Sequence, residues 1–177
     1  QCTAARVNVS LAAAGRGDRM TYLPAGLALT DLLEQAVNGW VPGLSGGGAG
    51  ATVDRLFTDG VHLTTLGEYY LSLVSYASVY RRSAAGAWAP AGVTAEQAGS
   101  LQKLAWQVVS NHYNNAATPG MDQCQALMRN EVCTAYANYA GNPGLASSCS
   151  ARFSEQSQNN PFYYGGNDSG YWFAAPR

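Results

Sequence analysis

Leu56-Phe57-Thr58-Asp59-Gly60-Val61-His62-Leu63-Thr64-Thr65-Leu66-Gly67-Glu68 is the stretch on which the fold of this chain turns. It sets a carboxylate three residues before one of only two histidines, His62 and His112. That spacing lets Asp59 and His62 share one face of a turn. A histidine can take a proton from a hydroxyl at neutral pH, and does so efficiently when a carboxylate holds its other ring nitrogen. Asp59 and His62 are therefore the candidate catalytic residues. Thr65-Leu66-Gly67-Glu68 has the capping-box pattern, in which each end satisfies an exposed amide of the other. Apolar residues then recur at helical spacing at Leu66, Tyr69, Tyr70, Leu73, Ala77 and Tyr80. This helix is expected to close near Arg81-Arg82, where positive charge suits its dipole.

Upstream, Arg19-Met20-Thr21-Tyr22-Leu23 reads as a short strand stopped by Pro24-Ala25-Gly26. Leu29, Leu32, Leu33, Ala36 and Val37 follow at helical spacing, with Gly39 as the stop. The glycine-rich stretch 43–50 reads as a flexible loop, without the lysine or helix start of a phosphate-binding loop. Downstream, Thr94-Ala95-Glu96-Gln97 is a second capping box. It opens a helix marked by Leu101, Leu104, Ala105, Val108 and Val109, with Trp106 beside the apolar face and His112 near its end, where a cap or surface role is expected. Thr118-Pro119-Gly120 breaks it, and Pro119 to Tyr139 reads as one helix. Helical periodicity stops near Ser150. Phe162, Tyr163, Tyr164, Tyr171, Trp172 and Phe173 then stand in a polar, glycine-rich extended tail. So many aromatics need a surface to cover. The tail is expected either to wrap back or, the favoured alternative, to dock on another chain through residues 162–173.

The 177 residues are long enough for a domain with a real core. Only 12% are charged and the net charge is -1, so electrostatics give no reason to invoke nucleic acid or an anionic membrane. No apolar run approaches the roughly 20 residues of a membrane span. No charged-then-apolar leader opens the chain, so a mature secreted or periplasmic protein is expected, with Gln1 as a terminus left by processing. Asn8-Val9-Ser10 and Asn167-Asp168-Ser169 are glycosylation sequons by pattern alone. The cysteines, Cys2, Cys124, Cys133 and Cys149, lack the spacing of a zinc site, and no metal or other cofactor is implied. Two disulfides in an oxidising compartment fit them better than four buried thiols. Within one helix the nine-residue offset turns Cys133 about 180° from Cys124 and about 13 Å along the axis, beyond disulfide reach. Cys133–Cys149, closing the turn at Gly141-Asn142-Pro143-Gly144, is the preferred local bridge, which leaves Cys2–Cys124.

The segment Leu56–Leu71 resembles the Asp-x-x-His block near the C-terminal end of SGNH, or GDSL-type, serine hydrolases. Residues 22–29, Tyr-Leu-Pro-Ala-Gly-Leu-Ala-Leu, are similar to the strand and turn before that block, and Leu101 to Val109 to a helix after it. The resemblance covers roughly residues 19–113, and its D-G-x-H-L-x-x-x-G core is moderately specific. It implies an α/β fold, a flavodoxin-like three-layer sandwich, with His62 as general base and Asp59 as its orienting carboxylate. The family's Gly-Asp-Ser nucleophile has no counterpart: Gly17-Asp18-Arg19 puts arginine in the serine position. Ser72, Ser75 and Ser78 sit in a helical pattern that offers no strained turn to present a hydroxyl.

By its own periodicities the chain is mostly α-helical with one clear strand, and one strand cannot form a sheet. The expected organisation is thus the C-terminal part of an SGNH-type domain over 1–118, a disulfide-linked helical extension over 119–149 and the aromatic tail over 150–177. The function implied is the His/Asp half of a secreted esterase, with the serine on a companion polypeptide. The alternative is a non-enzymatic assembly or binding protein on a degenerate scaffold of that kind.

Overall fold

The helical periodicities resolve, among the described residues, into eight α-helices and no sheet. These are α1 (Cys2–Ala13), α2 (Ala25–Val37), α3 (Gly48–Leu56), α4 (Thr65–Tyr80), α5 (Ala95–Asn115), α6 (Met121–Leu127), α7 (Cys133–Tyr139) and α8 (Gly144–Arg152). A π-helical turn, Met128–Val132, runs on from α6 into α7. The structure is a computed structural model and describes residues 1–115, 117–156 and 160–163. It forms two compact units, Leu23–Ala116 and, together, Gln1–Tyr22 with Ala117–Arg177. No described helix is long and apolar enough to cross a membrane.

In the unit 23–116, α4 and α5 pack along each other, with α2 and α3 against them. The buried stripe of α2 is Ala28, Leu32 and Ala36, spaced four residues apart so that small and large side chains alternate toward α4. From α4 come Tyr69, Tyr70, Leu73, Val74 and Ala77, and from α5 Leu101, Leu104, Ala105 and Val109. Each fully buried leucine contributes about 1.5–3 kcal/mol. Trp106 packs half-buried against this core. Tyr70 is wholly buried and donates to the Ala28 carbonyl at 3.2 Å. Burial, and then the nearby Asp31 carboxylate, push its phenol above the ordinary tyrosine range.

Several boundaries follow the expected chemistry. Thr94 N–H donates to Gln97 Oε1 and Gln97 N–H to Thr94 Oγ1, a reciprocal cap for α5. Gly39, at φ 82°, takes the left-handed conformation that ends α2. Arg81 closes α4 in the same conformation at φ 54°, with its guanidinium 3.3 Å from the centroid of the Tyr113 ring. Tyr80, read as part of the apolar face, is instead exposed.

Two expectations are corrected. The strand expected at 19–23 is absent, because its backbone has no neighbouring strand to pair with. The Asn8 side chain takes that place: Nδ2 donates to the Met20 carbonyl at 2.9 Å and Oδ1 accepts its N–H at 2.7 Å. Among the described residues the chain is helical without a sheet, and only an isolated antiparallel bridge, Phe57 with Leu63, is present. The glycine-rich stretch is not a free loop either. Leu44 is fully buried within it, its carbonyl accepts from Arg55, the Gly43 carbonyl accepts from Gln97 Nε2, and α3 begins at Gly48. Burial of Leu44 and these side-chain anchors offset the glycine entropy.

The other unit has little apolar core, mainly Ala4, Ala5, Leu11, Cys124, Cys133, Ala137 and Phe162. Cross-links and polar anchors supplement it. Cys2–Cys124 joins α1 to α6 and Cys133–Cys149 joins α7 to α8, the pairing preferred from the sequence. Arg6, almost wholly buried, donates to Ser10 Oγ and to the Pro161 carbonyl. Asn160 donates to the carbonyls of Phe153 and Glu155 and accepts from Phe162 N–H. Phe162 is thereby buried against Phe153 on its own unit. Tyr164, Tyr171, Trp172 and Phe173 lie outside the described residues, as does the second sequon.

Ser78 Oγ, buried within α4, has no hydrogen-bond partner among the described residues. An unmet buried hydroxyl is costly, and serine is also the poorer helix former. Ser78→Ala is expected to raise stability by about 1 kcal/mol, seen as a higher urea midpoint at unchanged slope. A lowered midpoint would contradict the unmet hydroxyl.

Candidate active site

The chain leaves α3 at Leu56 and enters α4 at Thr65, and the eight residues between form a closed loop. Its base is pinned by backbone bonds: Thr58 N–H donates to the His62 carbonyl at 2.8 Å and Thr64 N–H to the Leu56 carbonyl at 2.9 Å. Thr58 Oγ1 adds a second bond to the His62 carbonyl. Thr64 also caps α4. Its Oγ1 accepts from Gly67 N–H at 3.2 Å and donates to the Arg55 carbonyl at 2.6 Å. The cap is therefore one residue earlier than the Thr65-Glu68 box expected from the sequence, because Thr64 can satisfy α3 and α4 at once.

Gly67 is required by close approach. A Cβ there would lie 2.4 Å from the Leu56 carbonyl oxygen and 2.9 Å from Leu63 Cδ2. No side chain fits in that gap, so the end of α3, the loop and the first turn of α4 are pressed together at this point. Gly67 is the final glycine of the D-G-x-H-L-x-x-x-G pattern. Its contact gives that spacing a physical cause.

At the tip both oxygens of Asp59 are used. Oδ1 accepts the N–H groups of Val61 and His62, each at 2.7 Å, and Oδ2 lies 2.6 Å from His62 Nδ1. The carboxylate is held by the loop backbone, and in turn holds the imidazole. An ionised carboxylate only accepts, so the Nδ1 facing it carries the proton, and in the neutral ring Nε2 is left bare as an acceptor. Nε2 has no hydrogen-bond partner among the described residues, and the His62 side chain is 79% exposed. The His62 N–H, the imidazole and the Val61 N–H, in that order, hold the Asp59 carboxyl below the usual carboxylate range.

Chemically this is an oriented base with an open nitrogen. Among the described residues no nucleophile is paired with it. Ser72 donates to the Glu68 carbonyl within α4, Ser78 is buried, and no described serine hydrogen-bonds to His62. His112 lies in the last turn of α5, edge-on to the Tyr113 ring, and burial holds its imidazole below the ordinary value. No group of three His, Cys, Asp or Glu side chains among the described residues converges as a metal site would. Thr58, Thr64 and Gln102 were not picked out in the sequence. Gln102 links α5 to Tyr69 and to the loop after α4 through bonds to Tyr69 Oη, the Ala87 carbonyl and Gly86 N–H. Thr64 and Gln102 make their contacts only once separate helices are assembled, whereas Thr58 bonds within the loop itself.

Because the His62 backbone N–H outweighs its side chain in holding Asp59, His62→Ala should leave Asp59 titrating below its ordinary value of 3.8. A carboxyl depressed in the fold contributes stability above its unfolded pKa, and loses it as the pH falls through the folded value. Carbon-detected NMR titration of the Asp59 carboxyl measures this. A return to the ordinary value in His62→Ala would show that the ring, and not the loop, holds the carboxylate. Comparison of the chain with protein-family models, curated proteins and solved structures found no match.

Proposed function

We propose that this chain supplies the histidine and aspartate of a secreted serine ester hydrolase of the SGNH type, and that a companion polypeptide supplies the serine. The observation that carries the reading is the doubly anchored Asp59, with one oxygen on the loop backbone and the other on His62 Nδ1, leaving Nε2 open. A surface carboxylate and histidine that met by chance would need no such closure beneath them. A partner would meet exposed apolar side chains on the unit 23–116, among them Leu27, Val37, Trp40 and Val61. In this reading the partner brings the sheet of the three-layer sandwich. Both disulfides are formed, which suits an oxidising compartment.

In the reaction, the companion's serine attacks the ester carbonyl while His62 Nε2 takes its proton. Asp59 Oδ2 stabilises the imidazolium through the Nδ1 hydrogen bond. The tetrahedral intermediate collapses, and Nε2 returns the proton to the departing alkoxide, leaving an acyl-serine. Water repeats the sequence: His62 takes a proton from it, the acyl bond breaks, and the serine regains a proton as the acid departs. Oxyanion donors would come from the companion, as in the resemblance that motivates the reading.

Native material should react with a fluorophosphonate probe, with the label on a companion serine. His62→Ala should abolish the labelling. Asp59→Asn keeps an oxygen for the two backbone N–H groups but turns a donor toward Nδ1, favouring the opposite tautomer. It should slow labelling by about 10⁴-fold without unfolding the loop. No labelling of native material, or labelling indifferent to His62, would overturn the esterase reading.

A further inference from the structure

An open groove of about 620 Å³ runs along α4. Its helix wall is a single stripe, Thr65, Glu68, Tyr69, Ser72, Leu73 and Tyr76, at the helical spacing of one face. From Thr65 to Tyr76 that stripe is roughly 16 Å long. The opposite wall is the chain returning after α4. Arg82 donates to Tyr76 Oη at the far end, while Gln102 ties Gly86 and Ala87 to Tyr69 Oη further back. The returning chain is therefore antiparallel to the helix and fixed by side-chain bonds, so the groove is preformed. Its lining is mainly hydrocarbon and aromatic, with Ala84, Ala87, Pro90 and Trp88 contributed by the returning chain, and Trp88 is 81% exposed.

The groove lies at the base of the His62 loop. Thr65 is three residues from His62, so their Cα atoms are at most about 11 Å apart. Leu63 rests against Gly67 in the first turn of α4. The volume suits a small organic ligand, and the apolar lining with a few polar groups is that of a small-molecule site. Glu68 is the one charged side chain lining it among the described residues, and it stands in the turn nearest His62. A negative charge there tolerates a neutral group and disfavours a carboxylate at the His62 end, while the Arg82 cation stands at the opposite end, on Tyr76.

We propose that this groove receives the uncharged acyl chain of a medium-chain ester whose carbonyl is presented to His62. The assignment rests on the esterase reading for the ester's fate, but the binding stands on the groove alone. Glu68 then has a directional role: the neutral ester enters, and the acid formed, ionised at neutral pH, is repelled.

The test is a titration of the full chain with methyl octanoate, followed at the Trp88 indole N–H resonance, which Trp88→Phe assigns. A saturable shift is expected, with octanoate anion binding roughly fivefold more weakly, the effect of one like charge about 4 Å away in water. Glu68→Gln should bring the two ligands to equal affinity. Ser72→Trp, on the exposed face of α4, should fill the groove and remove the shift while the helical circular dichroism is kept. If that variant fails to fold, the Glu68→Gln comparison decides alone. Absence of a saturable shift, or octanoate binding as well as its methyl ester in the unaltered chain, would overturn the assignment. Binding without fluorophosphonate labelling upholds the groove and removes the esterase reading; labelling without binding does the reverse.

Discussion

Closure of the loop between α3 and α4 is the constraint on which the unit 23–116 depends. Thr64 is bonded in three directions, to the Leu56 carbonyl through its amide, to the Arg55 carbonyl through its hydroxyl, and to Gly67 N–H as the cap of α4. Gly67 lets the Leu56 carbonyl approach where any Cβ would block it. If either contact were lost, α4 could not start where it does. The Asp59 tip would then lose the base that holds it. The core face of α4, the groove wall and the His62 loop are thus consequences of one junction, since all are referred to the first turn of that helix.

The two units reach stability by different means. Between residues 23 and 115 the chain relies on interdigitated Ala, Leu, Val and Tyr side chains from four helices, and polar contacts serve mainly to fix loops. In the other unit the core is small, and two disulfides with buried Arg6 and Asn160 hold the segments together. Reduction would remove the loop-closure advantage of a 122-residue separation in Cys2–Cys124 and of 16 residues in Cys133–Cys149. The His62 loop contains no cysteine and gains nothing directly from either bridge.

Much of this was legible in the sequence, and where it was not the reasons are local. Apolar spacing found α2, α4 and α5, because helices that bury one face must repeat every three or four residues. Helix geometry excluded Cys124–Cys133, and the reciprocal Thr94-Gln97 cap was readable because both partners are local. The strand at 19–23 failed because propensity says nothing about whether a partner strand exists, and Asn8 supplied the pairing instead. Leu44 turned the glycine-rich stretch into an anchored segment, which no local pattern could announce. At the site, the Asp59–His62 pairing was suggested by spacing. Its backbone anchoring and the role of Thr64 were not, since those require α3 and α4 to be placed against each other.

The central claim is that Asp59 fixes the proton of His62 on Nδ1 and leaves Nε2 as the working base. Nitrogen-15 NMR of the His62 imidazole in the neutral ring tests it most directly, because the two nitrogens give distinct shifts when one bears hydrogen and the other is bare. The result expected is a pyrrole-type Nδ1 and a pyridine-type Nε2, reversed or mixed in Asp59→Asn. A neutral ring with its proton on Nε2 in the unaltered chain would contradict the claim, and with it the use of this loop as a hydrolytic base.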